Sequence, residues 1–415
     1  MSSESLEANN SSGAVLLPIM AAIFGVYIVI GLAMPVLPLY VHQRLGFGPF
    51  VVGLVSGSQF AAGMISRFWA GHHVDSRGAK HAVIIGLLVA ALSGLFYLAS
   101  SYFVQRGTSV AILLAGRAVL GAAESFVITG ALSLGIALMG TRNTGRVMAW
   151  VGTALYAAFA SGAPAGTTLY TTFGFRGVAI ATALIPLGGL PLLALIRPIA
   201  SPHTRRAPQL TRVARAVWVP GLGVALAGVG FGAISTFIVL LYAARGWSPA
   251  WLPFTALSVA FIGGRLVFGH LPDKIGGAKV SSVCILIEAA GQAVIWTANS
   301  SLFALLGVIL TGLGYSLVYP GLGVEAIRRA PRESRGLAMG AYTAFLDLSL
   351  GVTGPALGLI AGWSGLPAVF IASAAVVLCA AGVALRLVFM PAQPYDAIHV
   401  RTVEHAADVA PMETF

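Results

Sequence analysis

Four ionisable side chains fall in the middle of long apolar runs, where an isolated charge finds little water: Arg117, Glu124, Glu288 and Asp347. An ionised residue at mid-bilayer depth costs about 2.5–3.5 kcal/mol on insertion scales, so it faces a polar cavity or a partner. Arg117 and Glu124 are seven residues apart, in Gly116-Arg117-Ala-Val-Leu-Gly121-Ala-Ala-Glu124-Ser125. That spacing puts both on one helix face, about 10 Å apart along the axis. Asp347 shares its face with Thr343 and Gly351, and Glu288 has Gln292 one turn on. The chemistry open to this set is proton binding. Burial moves a carboxyl pKa up toward neutrality, and a guanidinium nearby, here Arg117, brings it down again. For Arg117 and Glu124 the residues leave a second reading open, a structural ion pair between helices. Glu288 has one too, a locally paired polar group. Glu325 lies beside Arg328 and Arg329 and reads as an ion pair at a helix end.

The elements that must hold these groups are membrane helices. Of 415 residues, 58% are hydrophobic and 9% charged, and the mean hydropathy is +0.90. A soluble chain carries about 25% charged residues, so this one cannot cover a water-exposed surface and belongs in a lipid bilayer. The 51 glycines suit close helix packing. A net charge of +11 would fit nucleic acid, but it sits in short loops, so no nucleic-acid partner is expected. Cys284 and Cys379 both lie in apolar runs and offer neither a disulfide framework nor metal-ligand spacing. With no nucleotide loop, metal cluster or nucleophile triad, the expectation is a non-enzyme without cofactors, driven by ions rather than ATP.

Runs long enough to cross about 30 Å of hydrocarbon fall near 15–40, 50–70, 82–100, 109–139, 147–170 and 177–196. Six more fall near 217–243, 249–270, 280–298, 302–327, 337–362 and 368–389. The expected organisation is a tail (1–14, disordered), a six-helix bundle (15–196), a basic linker (197–216), a second six-helix bundle (217–389) and a disordered tail (390–415). Placing the N-terminus inside leaves Arg44, Arg106, Arg176 and Arg245 in the outer loops. The linker holds Arg197, Arg205, Arg206, Arg212 and Arg215, and another inner loop holds Arg328, Arg329, Arg332 and Arg335. Short loops rich in Lys and Arg stay cytoplasmic, so both termini are expected in the cytoplasm.

The two bundles read as copies. Arg67, Gly71, His72, Asp75 and Gly78 recur 198 residues later as Arg265, Gly269, His270, Asp273 and Gly276, and each stretch ends in a lysine, Lys80 or Lys279. Gly177-Val-Ala-Ile-Ala181 returns as Ala368-Val-Phe-Ile-Ala372, and Pro164 as Pro355, both at an offset of 191. Repeats in the same orientation build a site near the midplane between them. The loop Gly-x-x-x-Asp-(Arg/Lys)-x-Gly resembles the signature of the major facilitator superfamily. The second copy fits through Gly269, Asp273, Lys274 and Gly276, whereas the first has Ser76 and then Arg77. The resemblance implies an all-α membrane fold of twelve helices in two parallel-repeat bundles that rock about a central site. Its signature loops would act as latches: Gly71 and Gly269 permit close helix contact, and Asp75 and Asp273 accept from a helix N-terminus or a basic side chain.

Arg117 resembles a motif of proton-coupled members, and its counterpart stretch, Gly312-Leu313-Gly314, has no arginine. Gly152, Gly162, Pro164 and Gly166 in the fifth span resemble the proline-glycine motif of exporters, with Ala163 replacing its usual glycine. Gly351, Gly354, Pro355 and Gly358 are the eleventh span's set, and both spans are expected to kink at their prolines. Close packing alone would also account for these glycines. More narrowly, Ala123-Glu124-Ser125, Asn143-Thr-Gly145-Arg146 and Phe345-Leu-Asp347-Leu-Ser-Leu-Gly351-Val-Thr-Gly354-Pro355 resemble the YhhS/YfcJ-type, arabinose-efflux-like permeases within the drug-exporter-like branch. That implies a monomeric inner-membrane carrier exporting a small solute, sugar-like or drug-like, against protons. Gln59, Thr236, Tyr315 and Tyr319 are its candidate solute contacts. The alternatives are a proton-coupled uptake permease, which would use the same acids, and a non-transporting sensor or scaffold, for which the buried charges have no use.

Overall fold

In the hydrocarbon of a bilayer every backbone N–H and C=O must be satisfied within the chain, and a helix does this without a partner. The computed structural model describes residues 3–140, 143–194, 196, 210–330 and 335–390, and no strand occurs among them. The first half contains α1 (Ser3–Leu39), α2 (Pro49–Arg77), α3 (Ala79–Ser100), α4 (Arg106–Met139), α5 (Thr144–Leu184) and the short α6 (Gly189–Ala194). The second contains α7 (Leu210–Arg245), α8 (Leu252–Phe268), the one-turn α9 (Leu271–Ile275), α10 (Gly277–Thr297), α11 (Ser301–Arg329), α12 (Arg335–Ser364) and α13 (Leu366–Phe389).

Ten helices are long and apolar enough to cross a membrane by length and composition. One of them breaks at Gly174 (φ 66°, ψ −166°), which divides α5 into the fifth span and the start of the sixth. The 17-residue α8 supplies the remaining crossing, and the total is the expected twelve.

Two boundaries differ from the sequence reading. The expected N-terminal tail is helical from Ser3, because lengthening a helix that already exists costs far less than starting one. The second half begins at Leu210 rather than 217, so the end of the expected linker is the first turns of α7. Both α5 and α12 run on through their prolines, and the non-helical residue of α5 is Gly174. Most of the linker (197–209), Arg332 and the tail 391–415 lie outside the described residues.

The duplication is visible in the turns. Gly46 and Gly246, Gly78 and Gly276, and Gly174 and Gly365 are pairs of glycines with φ between 65° and 100°. L side chains rarely adopt that conformation, so the second glycine of each signature stretch is dictated by the turn it makes. Packing repeats as well. In the first half α1 lies on α5, and α4 on both α2 and α3; in the second, α7 lies on α12, and α11 on both α8 and α10. Across the halves, α2 packs on α12 and α5 on α8, which are the same contact seen from the two copies.

Candidate functional site

The α2–α12 contact is built from glycine. Gly53 and Gly57 lie against the Gly354 and Gly351 carbonyls, and the backbone of Pro49 and Phe50 rests on Gly358. These positions belong to the end of α2 remote from the signature loops. Toward those loops the halves part: neither Gly71 of α2 nor Gly340 of α12 has a neighbour within van der Waals reach of a Cβ placed there, and Phe68 is 81% exposed. The cleft between the halves is therefore shut at the far face and open at the signature face.

Where the contact ends, one ion pair crosses it. Arg67 of α2 donates from Nε (3.0 Å) and Nη2 (2.5 Å) to Oδ2 of Asp347 in α12, 280 residues away in sequence. Side-chain exposures of 24% and 13% put the pair at the floor of the open cleft. Asp347 lies about 18 Å along α12 from the helix's signature-face end. One turn before it, Thr343 shares a 2.7 Å hydrogen bond with the Tyr319 hydroxyl, and Tyr342 donates to the Tyr319 carbonyl oxygen at 2.8 Å.

Glu124 is held within the first half. Its Oε1 accepts from the Tyr27 hydroxyl at 3.0 Å and its Oε2 from Gln59 Nε2 at 2.7 Å. Tyr27 also lies within electrostatic range of Arg67 and Asp347. Arg117 does share a face with Glu124, as the seven-residue spacing requires, but it does not tune that carboxylate by contact. It points instead at α2 and α3, donating to the Val55 carbonyl (3.2 Å), the Ser56 carbonyl (3.4 Å) and the Tyr97 hydroxyl (3.4 Å). The arginine beside a mid-span carboxylate, among the described residues, is Arg67, which the sequence reading placed with the gating loop.

The copy of Arg67, Arg265 of α8, meets no acid among the described residues. Its Nε donates to the Ser316 carbonyl at 3.2 Å, and its guanidinium lies over the Phe261 ring at 4.7 Å and the Tyr156 ring at 5.9 Å. Tyr156 of α5 stacks on Phe261 with ring centroids 3.6 Å apart. Gly152 makes room for this arginine, since a Cβ there would stand 2.8 Å from Nη1. The rest of its glycine set serves packing: Gly162 meets Gly31 and Gly166 meets Leu32, both on α1.

Asp75, Asp273 and Lys274 are exposed and make no ion pair among the described residues. Gly71 and Gly269 touch no other helix, so the close contact expected of them is not made in this conformation. Lys80 anchors the end of the first half instead, with Nζ 2.5 Å from the Ile196 carbonyl oxygen. Glu325 pairs with Arg329 and, at 3.9 Å, with Arg328, as its position suggested. Of the candidate solute contacts, Gln59 is committed to Glu124, and Tyr319 and Tyr315 lie near the cleft. Thr236 is buried in α7 without a hydrogen bond to this cluster. Glu288 is fully enclosed within the second half, apart from the others.

Two six-helix bundles around a cleft open at one face, with buried charge at the interface, define a secondary transporter. The profile of the Major Facilitator Superfamily matches residues 19–277 and 221–406, and the chain belongs to that family. It is 40% identical to the uncharacterised MFS-type transporter YhhS of Escherichia coli K12 over 365 residues, 88% of this chain and 90% of the relative. It is 42% identical to an uncharacterised MFS-type transporter of Burkholderia mallei strain SAVP1 over 411 residues, covering 94% and 97%. The fold is also that of a solved D-xylose–proton symporter, with a TM-score of 0.73 at 15% identity, covering 91% of this chain and 97% of that one.

Proposed function

We propose that the protein is a monomeric, proton-coupled antiporter that exports a small solute across the bacterial inner membrane, with its signature face and both termini in the cytoplasm. The observation that carries this reading is the Arg67–Asp347 pair, which crosses from one half to the other at the floor of the cleft. An exposed ion pair contributes about 0.2–1 kcal/mol, and removing one partner of a buried pair costs about 3–5 kcal/mol. The partial exposure of this one places it between those limits. A few kcal/mol is the size of coupling that shifts a two-state equilibrium 5–150-fold.

With Asp347 ionised, the pair holds α2 to α12 and the cleft faces the cytoplasm, ready for solute. Solute drives closure of that face and opening of the other. A proton arriving from outside then neutralises Asp347 and removes the partner of Arg67, and the proton leaves once the cleft faces the cytoplasm again. Glu124 lies close enough to this pair to share in the same exchange. Its two donors, Tyr27 and Gln59, are neutral and stay with it in either protonation state. The polar rim of Thr343, Tyr319 and Gln59 suits a neutral or polar solute. The basic inner loops support the orientation, and the fifth-span glycines support export over uptake.

The test is Asp347→Asn in proteoliposomes, assayed with a panel of radiolabelled sugars and drug-like solutes. Accumulation driven by a pH gradient should fall to background, while counterflow, which needs no net proton movement, survives. Wild-type accumulation in the variant would overturn the reading.

A further inference from the structure

We propose that Glu288 is a second proton-carrying site, inside the second half and separate from the Arg67–Asp347 pair; the inference rests on the proton-coupled reading above. Glu288 lies on α10 where that helix packs on α7, α11 and α13. Gly230 of α7 lies directly against its carboxyl group, and Gly314 of α11 packs on its backbone. The side chain is fully buried, and neither carboxylate oxygen has a hydrogen-bond partner.

The neighbouring groups make the deficit one-sided. Gln292, one turn on, spends its amide N–H groups on the Gly230 carbonyl and the Thr311 hydroxyl, both at 3.2 Å, and its Oε1 is left unpartnered. The orphaned atoms of the Glu288–Gln292 pair are therefore acceptors only. The titratable groups facing Glu288 are Tyr315 from α11 and Cys284 from its own helix. Among the described residues α7 and α13 contribute none, and no arginine, lysine or histidine acts on it. An ionised carboxylate enclosed without a partner costs so much that it takes up a proton instead. One added proton converts an orphaned acceptor of Glu288 into an O–H donor, with the Gln292 oxygen as acceptor four residues along the helix. Release reverses the step: once a rearrangement of the second half admits water to the carboxyl, the O–H bond breaks, the proton goes to that water and the hydrated carboxylate is restored.

Packing does not require this acid. The 198-residue offset of the signature loops places Ala90 of α3 opposite Glu288, and Ala90 fills its fully buried position with a methyl group. The acid also has an outlet toward the interface. Tyr315 of α11, the helix whose Gly314 packs on Glu288, has its ring 6.0 Å from that of Phe261, which in turn stacks on Tyr156. Tyr315 thus links Glu288 to the α5–α8 contact, the one that lacks an acid of its own.

The experiment needs no solute. Spin labels at Arg77→Cys and Ile275→Cys, in a Cys379→Ser background in nanodiscs, report opening of the signature face as pH is varied. If both sites carry protons, Asp347→Asn keeps a reduced pH dependence, and adding Glu288→Gln reduces it further. Equal pH dependence in Asp347→Asn with and without Glu288→Gln would overturn the inference. Equal pH dependence in wild type and Asp347→Asn would instead sink the role given to Asp347. Infrared spectra supply a readout free of labels: an Asp347→Asn/Glu124→Gln protein should retain a buried protonated-carboxyl band at neutral pH. That band should vanish with Glu288→Gln, and with Glu288→Met if the glutamine variant folds poorly. Its absence from the parent protein would also overturn the inference.

Discussion

The two contacts between the halves are the same contact in the two copies, and they differ in what faces the arginine of each. On the α2–α12 side an arginine faces a carboxylate, Arg67 with Asp347; on the α5–α8 side its copy faces a tyrosine, Arg265 with Tyr156. The 191-residue offset that matches Pro164 to Pro355 also matches Tyr156 to Asp347. Both arginines bridge the halves, yet a proton can act directly on only one bridge. A cation over aromatic rings holds at about 0.5–2 kcal/mol whatever the pH. On the proton-coupled reading proposed above, one interface is a switch and the other a hinge that keeps its contact while the switch is thrown.

The largest expected effect separates the two arginines. Arg67→Gln should abolish accumulation driven by a pH gradient, as Asp347→Asn does, because the switch loses its partner from either side. Arg265→Gln should keep the coupling and lower stability by about 1–2 kcal/mol, the loss of one cation–π contact and one hydrogen bond. Transport in proteoliposomes and thermal unfolding of the purified protein measure the two consequences. If Arg265→Gln also uncoupled transport, the contrast between switch and hinge would be gone.

How much of this was legible in the sequence follows from what each feature depends on. The spans and the duplication are local, set by hydropathy and by residue spacing, and they read directly. So did the placing of Asp347 and Glu124 within long apolar helices. Their partners did not, because Arg67 and Asp347 are 280 residues apart and Tyr27 lies in an unbroken apolar run. A signal for Arg67 existed: it stands one turn inside its span, four residues before Gly71, and repeats as Arg265. Pairing Arg117 with Glu124 failed for the opposite reason. They share a face, but at about 10 Å along the axis each finds its own partner on α2.

A smaller effect should distinguish the closed end of the switch interface from its open end. A methyl group at Gly53 would collide with the Gly354 backbone, whereas one at Gly71 meets open space. Gly53→Ala should push the halves apart at the far face and populate the opposite conformation. Overpacking of this kind costs about 1–3 kcal/mol, so spin-label distances across the signature face should shorten. Gly71→Ala should leave this conformation as it is and hinder only closure of the signature face. Equal distance distributions in the two variants would mean that the glycine contacts do not set the conformation.

The smallest effect belongs to the signature-loop acids. Asp75 and Asp273 are exposed and unpaired in the open arrangement, so their neutralisation removes nothing from it. Their contribution has to come in the other arrangement, when the signature face closes and each carboxylate approaches a helix N-terminus or a basic side chain. Contacts of that kind near a surface are worth about 0.3–1 kcal/mol, which corresponds to a change of roughly two- to fivefold in the balance of states. Asp75→Asn and Asp273→Asn should therefore slow transport by about that factor and leave solute affinity in the open state unchanged, as measured by equilibrium binding to the purified protein. The double variant should be slower than either single one, since the two loops sit on different halves and latch independently. Loss of binding in a variant that remains folded would mean that the loops shape the solute site itself, and the latch would have to be sought at the α5–α8 hinge.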